Sequence, residues 1–120
     1  MPNEVQLVSG EIVFGEGAEA FSGATASVRL EDVSRADAPS HVVAEQVIRQ
    51  VNYRPGQAGR LAFELRVNNP NERARYIVSA HLDVDGDGQV SRGDYITMES
   101  YPVLTHGYPR RLSVRLRKVK

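Results

Sequence analysis

Alternation of apolar and polar residues with a period of two is the feature that most limits how this chain folds. Phe63, Leu65 and Val67 alternate with Glu64 and Arg66. The same pattern recurs in three further segments, at 26–33, 76–82 and 111–117. Because successive side chains of a strand point to opposite faces, this pattern predicts half-buried β-strands with one face toward a core and the other toward water.

The spacing of these segments predicts an all-β fold. Seven strands are expected, at 4–14, 24–33, 41–50, 60–67, 74–83, 94–99 and 110–118. Residues rich in Gly, Pro, Asn and Ser separate them and predict turns, at 15–17, 34–40, 54–56, 68–71 and 107–109. Seven short antiparallel strands of this kind favour a β-sandwich of immunoglobulin-like size. The segment 42–50 also permits a short helix, and we assign it as a strand.

Length and composition narrow the class of protein. The 120 residues predict a single domain over 1–120, and 41% hydrophobic with 25% charged residues is typical of a globular chain. Fifteen basic residues balance fifteen acidic ones, which argues against a nucleic-acid partner. No apolar run approaches the length of a membrane span. The absence of cysteine excludes disulfides and thiolate metal sites, and the first ten residues do not resemble a signal peptide.

Residues 83–94, DVDGDGQVSRGD, carry the strongest indication of a binding site. Their spacing matches the twelve-residue calcium loop of EF-hands, in which alternate carboxylates converge on one cation and a glycine permits the curl. The expected ligands are the side chains of four aspartates, the Gln89 carbonyl and Ser91, directly or through water: Asp83, Asp85, Asp87, Gln89, Ser91 and Asp94. Gly88 occupies the glycine position, and Val90 is expected to point inward and tie the loop to the core.

The surroundings of this loop differ from those of an EF-hand. The flanking segments alternate like strands, so the helix reorientation by which EF-hand sensors act has no counterpart here. We therefore expect one structural Ca²⁺, with Mg²⁺ as the alternative ion because Asp94 is shorter than the usual bidentate Glu. The competing interpretation is a metal-free hairpin, since Asp and Gly are also common turn residues. Four carboxylates so close together would then repel one another.

Other polar and charged residues give weaker indications. The histidines, His41, His81 and His106, lie on separate segments, and we expect them to be solvated or hydrogen-bonded. No arrangement of nucleophile, acid and base is recognisable, so an enzyme is not expected. The carboxyl end is strongly basic and is interpreted as a solvated strand face, the alternative being a docking site for an acidic partner or an anionic membrane. Its basic residues are Arg110, Arg111, Arg115, Arg117, Lys118 and Lys120.

Four segments resemble a known family. They are ASVRLEDVSRADAPSHVVAEQVI (26–48), GQAGRLAFEL (56–65), RYIVSAHLD (75–83) and SYPVLTHG (100–107). In this order they are similar to the YbaY family of bacterial lipoproteins, which is related to the YscW-type pilotins of type III secretion. The resemblance implies a β-sandwich, an extracytoplasmic location at the periplasm or outer membrane, and tethering by a lipid on an amino-terminal cysteine, a residue that this chain lacks.

Two functions follow from these observations. The first is a non-enzymatic, extracytoplasmic binding module that holds one structural calcium ion in the loop at 83–94. The alternative is a pilotin-like or chaperone-like domain that binds a protein partner and in which the loop is only a turn. The resemblance implies that the pilotin branch of the family assists the localisation of secretins.

Overall fold

Eight β-strands make up the regular structure of the described part of the chain. The computed structural model describes residues 4–15, 18–35 and 37–120. The strands are β1 (Val5–Val13), β2 (Phe21–Asp32), β3 (His41–Tyr53), β4 (Arg60–Asn68), β5 (Tyr76–Asp83), β6 (Tyr95–Thr97), β7 (Pro102–Val103) and β8 (Arg111–Lys118). The prediction of an all-β fold is confirmed. Residues 16–17 and 36, which belong to the predicted turns at 15–17 and 34–40, lie outside the described residues.

The predicted alternation sets which side chains enter the core. On β4, Phe63, Leu65 and Val67 are buried while Glu64 and Arg66 are exposed. The segment that could also have been a helix forms part of β3, which is the longest strand. Strand β3 pairs with β2 along most of its length, with register shifts at three places. Tertiary pairing therefore decides between the two conformations that the sequence left open for this segment.

The strand order differs from that of a simple antiparallel sandwich. One path of hydrogen-bonded neighbours runs β3-β2-β5-β6-β8-β1-β4, and β7 pairs with β5. All of these pairs are antiparallel except β1 with β8, which is parallel. The sheet curls until β3 and β4, its two end strands, approach each other, which gives a nearly closed barrel. Closure reduces the exposed strand edges through which chains aggregate.

The seam between β3 and β4 is bridged by a side chain. The Glu64 backbone N–H on β4 donates a hydrogen bond of 2.8 Å to Oε1 of Gln46 on β3. The two strands are not paired in the sheet path, so this contact takes the place of a ladder bond. A polar side chain at an inward-leaning position of β3 thus satisfies an edge donor that would otherwise depend on water.

An unusually close approach joins β1 to β8. Gly10 has a φ of 153°, and a Cβ atom added there would lie 1.7 Å from the carbonyl oxygen of Leu112. Only glycine fits such a contact, so the parallel pairing of the two strands requires this residue. Beyond the end of β1 the core contains an aromatic cluster of Phe14, Phe21, Tyr53 and Tyr95, with ring centroids 5.5–6.5 Å apart. Among the described residues, no helix is long and apolar enough to span a membrane.

Candidate functional site

The aspartate-rich segment 83–94 consists of the last residue of β5 and the connection that leads from it to β6. Leu82 pairs with Tyr95 in the antiparallel ladder, so the two ends of the connection are held side by side at the mouth of a hairpin. Asp83 and Asp94, its first and last residues, are 8% and 0% exposed. The strand pairing therefore places two carboxylates against the core, a position that carboxylates occupy only when they are well paired.

The Asp83 carboxylate organises the first half of the loop. Its Oδ1 accepts a hydrogen bond of 3.0 Å from the Gly86 N–H, and its Oδ2 accepts one of 2.9 Å from the Gly88 N–H. Gly88 has a φ of 77°, in the left-handed region that side chains other than glycine rarely adopt. The structure thus contains the curl around the first aspartate that the spacing of the glycines predicts.

The Asp94 carboxylate organises the second half. Its Oδ1 accepts a hydrogen bond of 2.9 Å from the Val84 N–H, and its Oδ2 accepts one of 3.1 Å from the Ser91 N–H. The same Oδ2 lies 2.9 Å from Nε2 of His81 on β5. The backbone here also bonds to the carboxyl end of the chain, since the Val119 N–H donates to the Asp94 carbonyl oxygen over 2.8 Å and the Gly93 N–H donates to the Val119 carbonyl oxygen over 3.0 Å. Asp94 therefore ties the loop to both β5 and the segment after β8.

The remaining loop carboxylates are more exposed. Asp85 accepts a hydrogen bond of 2.8 Å from the Ser91 hydroxyl, and Asp87 accepts one of 2.9 Å from the Gln89 N–H. The bond from Ser91 is the main reason that the pKa of Asp85 lies below its ordinary value, because it favours the charged carboxylate. Ser91 thereby links the middle of the loop to its start.

The four aspartates predicted as ligands come together. Asp83, Asp85, Asp87 and Asp94 each offer a carboxylate oxygen, and these oxygens all lie within 4.8 Å of one another. Ser91 lies inside the cluster through its bonds to two of them. Gln89 is exposed and joins the cluster through its backbone N–H, so its predicted role as a carbonyl ligand stays a prediction. An all-oxygen group of this kind is chemically suited to a hard divalent cation.

Two features of the loop differ from what its sequence suggests. Val90, expected to point inward, is 56% exposed, because the connection extends beyond the paired ends of β5 and β6 and leaves this side chain without a core to pack on. His81 was not expected to take part, yet it forms a second cluster with Asp83 and Asp94. The available signal was its position two residues before Asp83 on a strand, which puts both side chains on the same face.

Comparison with known proteins places this fold among secretion-system proteins. The family described as the type III secretion system lipoprotein chaperone YscW matches residues 3–116. Among curated proteins, no sequence matches the chain significantly. A solved structure of an alternative pilotin from the type II secretion system of Vibrio cholerae is 30% identical, with a TM-score of 0.78, over 98% of this chain and 99% of that one. The match supports the pilotin side of the predicted resemblance, whereas membership of the YbaY family stays a prediction. Because the family match spans nearly the whole sequence, the chain belongs to the YscW family of secretion-system lipoprotein chaperones.

Proposed function

We propose that this chain is a pilotin, a non-enzymatic, extracytoplasmic protein that binds a secretin subunit and escorts it to the outer membrane. The observation that carries the proposal is the end-to-end agreement in fold and sequence with an alternative pilotin. Family membership supports the same conclusion, since the family is described as lipoprotein chaperones. Under this proposal the protein acts at the outer membrane.

The polar contacts of the loop favour a structural role over catalysis. His81 and Asp94 form a pair of the kind that orients a general base. A hydrolytic triad also needs the nucleophile to bond to the histidine, and the Ser91 hydroxyl instead donates to Asp85. Asp94 is further committed to two backbone N–H groups. These groups therefore hold the loop in place.

The pilotin proposal is tested by the fate of the secretin. In a strain without this protein, the secretin subunits of the same secretion system are expected to be missing from the outer-membrane fraction. Expression of the full-length protein should restore them, and the purified protein should bind the purified secretin directly. Equal amounts of outer-membrane secretin with and without the protein, together with no direct binding, would contradict the proposal.

We also propose that the loop at 83–94 holds one structural calcium ion. The convergence of four carboxylate oxygens within 4.8 Å supports this, because a cation between them would remove their mutual repulsion. The residues that would hold the ion are Asp83, Asp85, Asp87 and Asp94, with Ser91 directly or through water and the Gln89 carbonyl. An extracytoplasmic protein meets millimolar calcium, which fills even weak sites.

The calcium proposal is tested by titrating protein stripped with EDTA. We expect one-to-one binding by calorimetry and stabilisation by about 2.7 kcal/mol at 100 times the dissociation constant. Asp83→Ala and Asp87→Ala should abolish binding, whereas Asp32→Asn, a carboxylate outside the loop, should leave it unchanged. Asp94→Glu should favour Ca²⁺ over Mg²⁺, because a longer carboxylate can bind in a bidentate manner. If millimolar calcium produces no measurable heat of binding and leaves the melting temperature unchanged, the loop is only a turn.

The two proposals can be separated by one measurement. If the ion only stabilises the loop, purified secretin should bind with the same affinity in calcium and in EDTA, at a temperature where both forms are folded. A secretin affinity that depends on calcium would instead place the loop in the interface and contradict a purely structural role.

A further inference from the structure

A groove of about 610 Å³ lies along the second half of β8, beside the end of β1 and beside β6. Its floor is apolar and is formed by Val13, Phe14, Tyr95 and Leu116. Met98, which follows β6, is 53% exposed and stands at its side. Phe14, Tyr95 and Leu116 are each at most 5% exposed, so Met98 and the partly buried Val13 supply the accessible apolar surface of the groove. Exposed apolar surface beside a concave site is where proteins often accept a side chain from a partner. We refer to this feature as the basic groove, because of the residues that surround it.

The floor of the basic groove is rigid. Phe14 packs on the edge of Tyr53 with ring centroids 5.5 Å apart, and it lies 6.5 Å from Tyr95. The Tyr95 hydroxyl accepts a hydrogen bond from the Glu19 N–H. Since these rings are already packed in the aromatic cluster, a ligand would meet a preformed surface and the entropic cost of ordering it would be small.

The rim of the basic groove carries four cations. They are Arg115, Arg117, Lys118 and Lys120. Two of them form exposed ion pairs, Arg117 with Glu99 at 3.2 Å and Lys118 with Glu19 at 3.5 Å. Exposed ion pairs contribute at most about 1 kcal/mol, so a ligand with its own carboxylates can replace them at little cost. The groove thus combines an apolar floor with an excess of positive charge.

We propose that the basic groove is the docking surface for an acidic, amphipathic segment of the secretin partner. This inference rests on the proposed pilotin function and adds the place and the chemistry of the contact. Charge complementarity selects an acidic ligand, and the exposed Met98 at the side of the groove selects one that also carries hydrophobic side chains. A concave groove of this size receives individual side chains of a peptide, whereas the flat surface of an anionic bilayer would reach only its rim. Under this proposal the basic face of β8, interpreted from the sequence as a solvated face, binds a segment of another protein.

The test is a pair of matched double charge reversals in the full chain. Arg115→Glu with Lys120→Glu changes the rim at two exposed positions that form no ion pair among the described residues. Arg49→Glu with Arg66→Glu makes the same change of net charge at exposed positions on β3 and β4, away from the groove. Binding to purified secretin is measured for both variants and the wild type at several salt concentrations, beside binding to vesicles of phosphatidylglycerol.

The rim variant should bind secretin at least about tenfold more weakly, and the wild-type affinity should fall with salt more steeply than that of the variant. The control should stay within about twofold of the wild type. Met98→Asp should weaken binding too, because it puts a charge beside the apolar floor. If the wild type binds secretin and the rim variant binds equally well, the groove is not the docking surface and the pilotin function stands. If the rim variant loses only vesicle binding, the groove contacts a membrane and the inference is overturned.

Discussion

Removal of the Asp94 carboxylate provides the sharpest test of how the loop at 83–94 is held. Asp94 is fully buried and accepts three hydrogen bonds of 2.9–3.1 Å, from two backbone N–H groups and from His81, besides a longer contact of 3.4 Å with the Ser91 hydroxyl. Bonds to a charged acceptor contribute about 1.5 kcal/mol each or more, which amounts to about 4.5 kcal/mol for the three. Relief of repulsion from the neighbouring carboxylates offsets about 1.5 kcal/mol of this. Asp94→Ala should therefore cost about 3 kcal/mol of folding free energy.

The measurement is chemical and thermal unfolding in EDTA, so that no bound cation contributes. For a chain of this length about 3 kcal/mol corresponds to a melting temperature lower by about 12 °C. Asp94→Asn keeps one acceptor oxygen and should cost about 1 kcal/mol. Asp87→Ala is the control, because this exposed carboxylate accepts one backbone N–H among the described residues, that of Gln89, and its removal should change stability by less than about 0.5 kcal/mol.

Two results would refute this reasoning. If the free energy of unfolding of Asp94→Ala lies within about 1 kcal/mol of the wild-type value, water replaces the lost acceptor and the buried carboxylate does not hold the loop. If Asp87→Ala costs as much as Asp94→Ala, the effect belongs to the whole acidic cluster and not to the hydrogen bonds of Asp94.

Three further substitutions test other contacts. Gly10→Ala should destabilise the fold by about 3 kcal/mol in urea unfolding, because the added Cβ collides with a carbonyl oxygen of β8; a change below about 1 kcal/mol would mean that the strands separate freely. Gln46→Ala should cost about 1 kcal/mol and speed hydrogen exchange of the Glu64 amide, and an unchanged exchange rate would show that the seam does not depend on this bond. Ser91→Ala should raise the pKa of Asp85 in an NMR titration, since the hydroxyl that lowers it is removed. The pKa of Asp85 is lower in the folded protein than in the unfolded chain. Its contribution to stability is therefore present above the unfolded-state pKa and is lost as the pH falls through the folded-state pKa. Ser91→Ala should make the stability of the protein less dependent on pH in this acidic range.

Most of the strands could be predicted because they depend on local pattern. The alternation of Phe63, Leu65 and Val67 with polar residues identifies β4 and the face that it buries. The order of the strands depends on contacts that no local pattern contains. The parallel pairing of β1 with β8 joins residues about a hundred positions apart, and the alternation of either strand is equally compatible with an antiparallel neighbour. The near-barrel could therefore not be distinguished from a sandwich.

For the candidate site too, some features could be predicted from local sequence and others could not. The spacing of Asp83, Asp85 and Asp87 around glycines with left-handed backbone is a local instruction, and their convergence follows from it. The contact between His81 and Asp94 depends on the pairing of β5 with β6, which the loop motif does not specify. The predicted inward position of Val90 is wrong for the related reason that the motif does not say what the loop packs against.

The direction of β1 also determines where the basic groove lies relative to the start of the first strand. β1 begins at Val5 and runs toward the groove, whose floor includes Val13 at the other end of the same strand. The 9 residues of β1 are extended, so the two ends of the strand lie about 27 Å apart. An attachment near the start of β1 would present the groove at the far end of that strand. The barrel would then act as a rigid spacer that carries its binding surface away from the point of attachment.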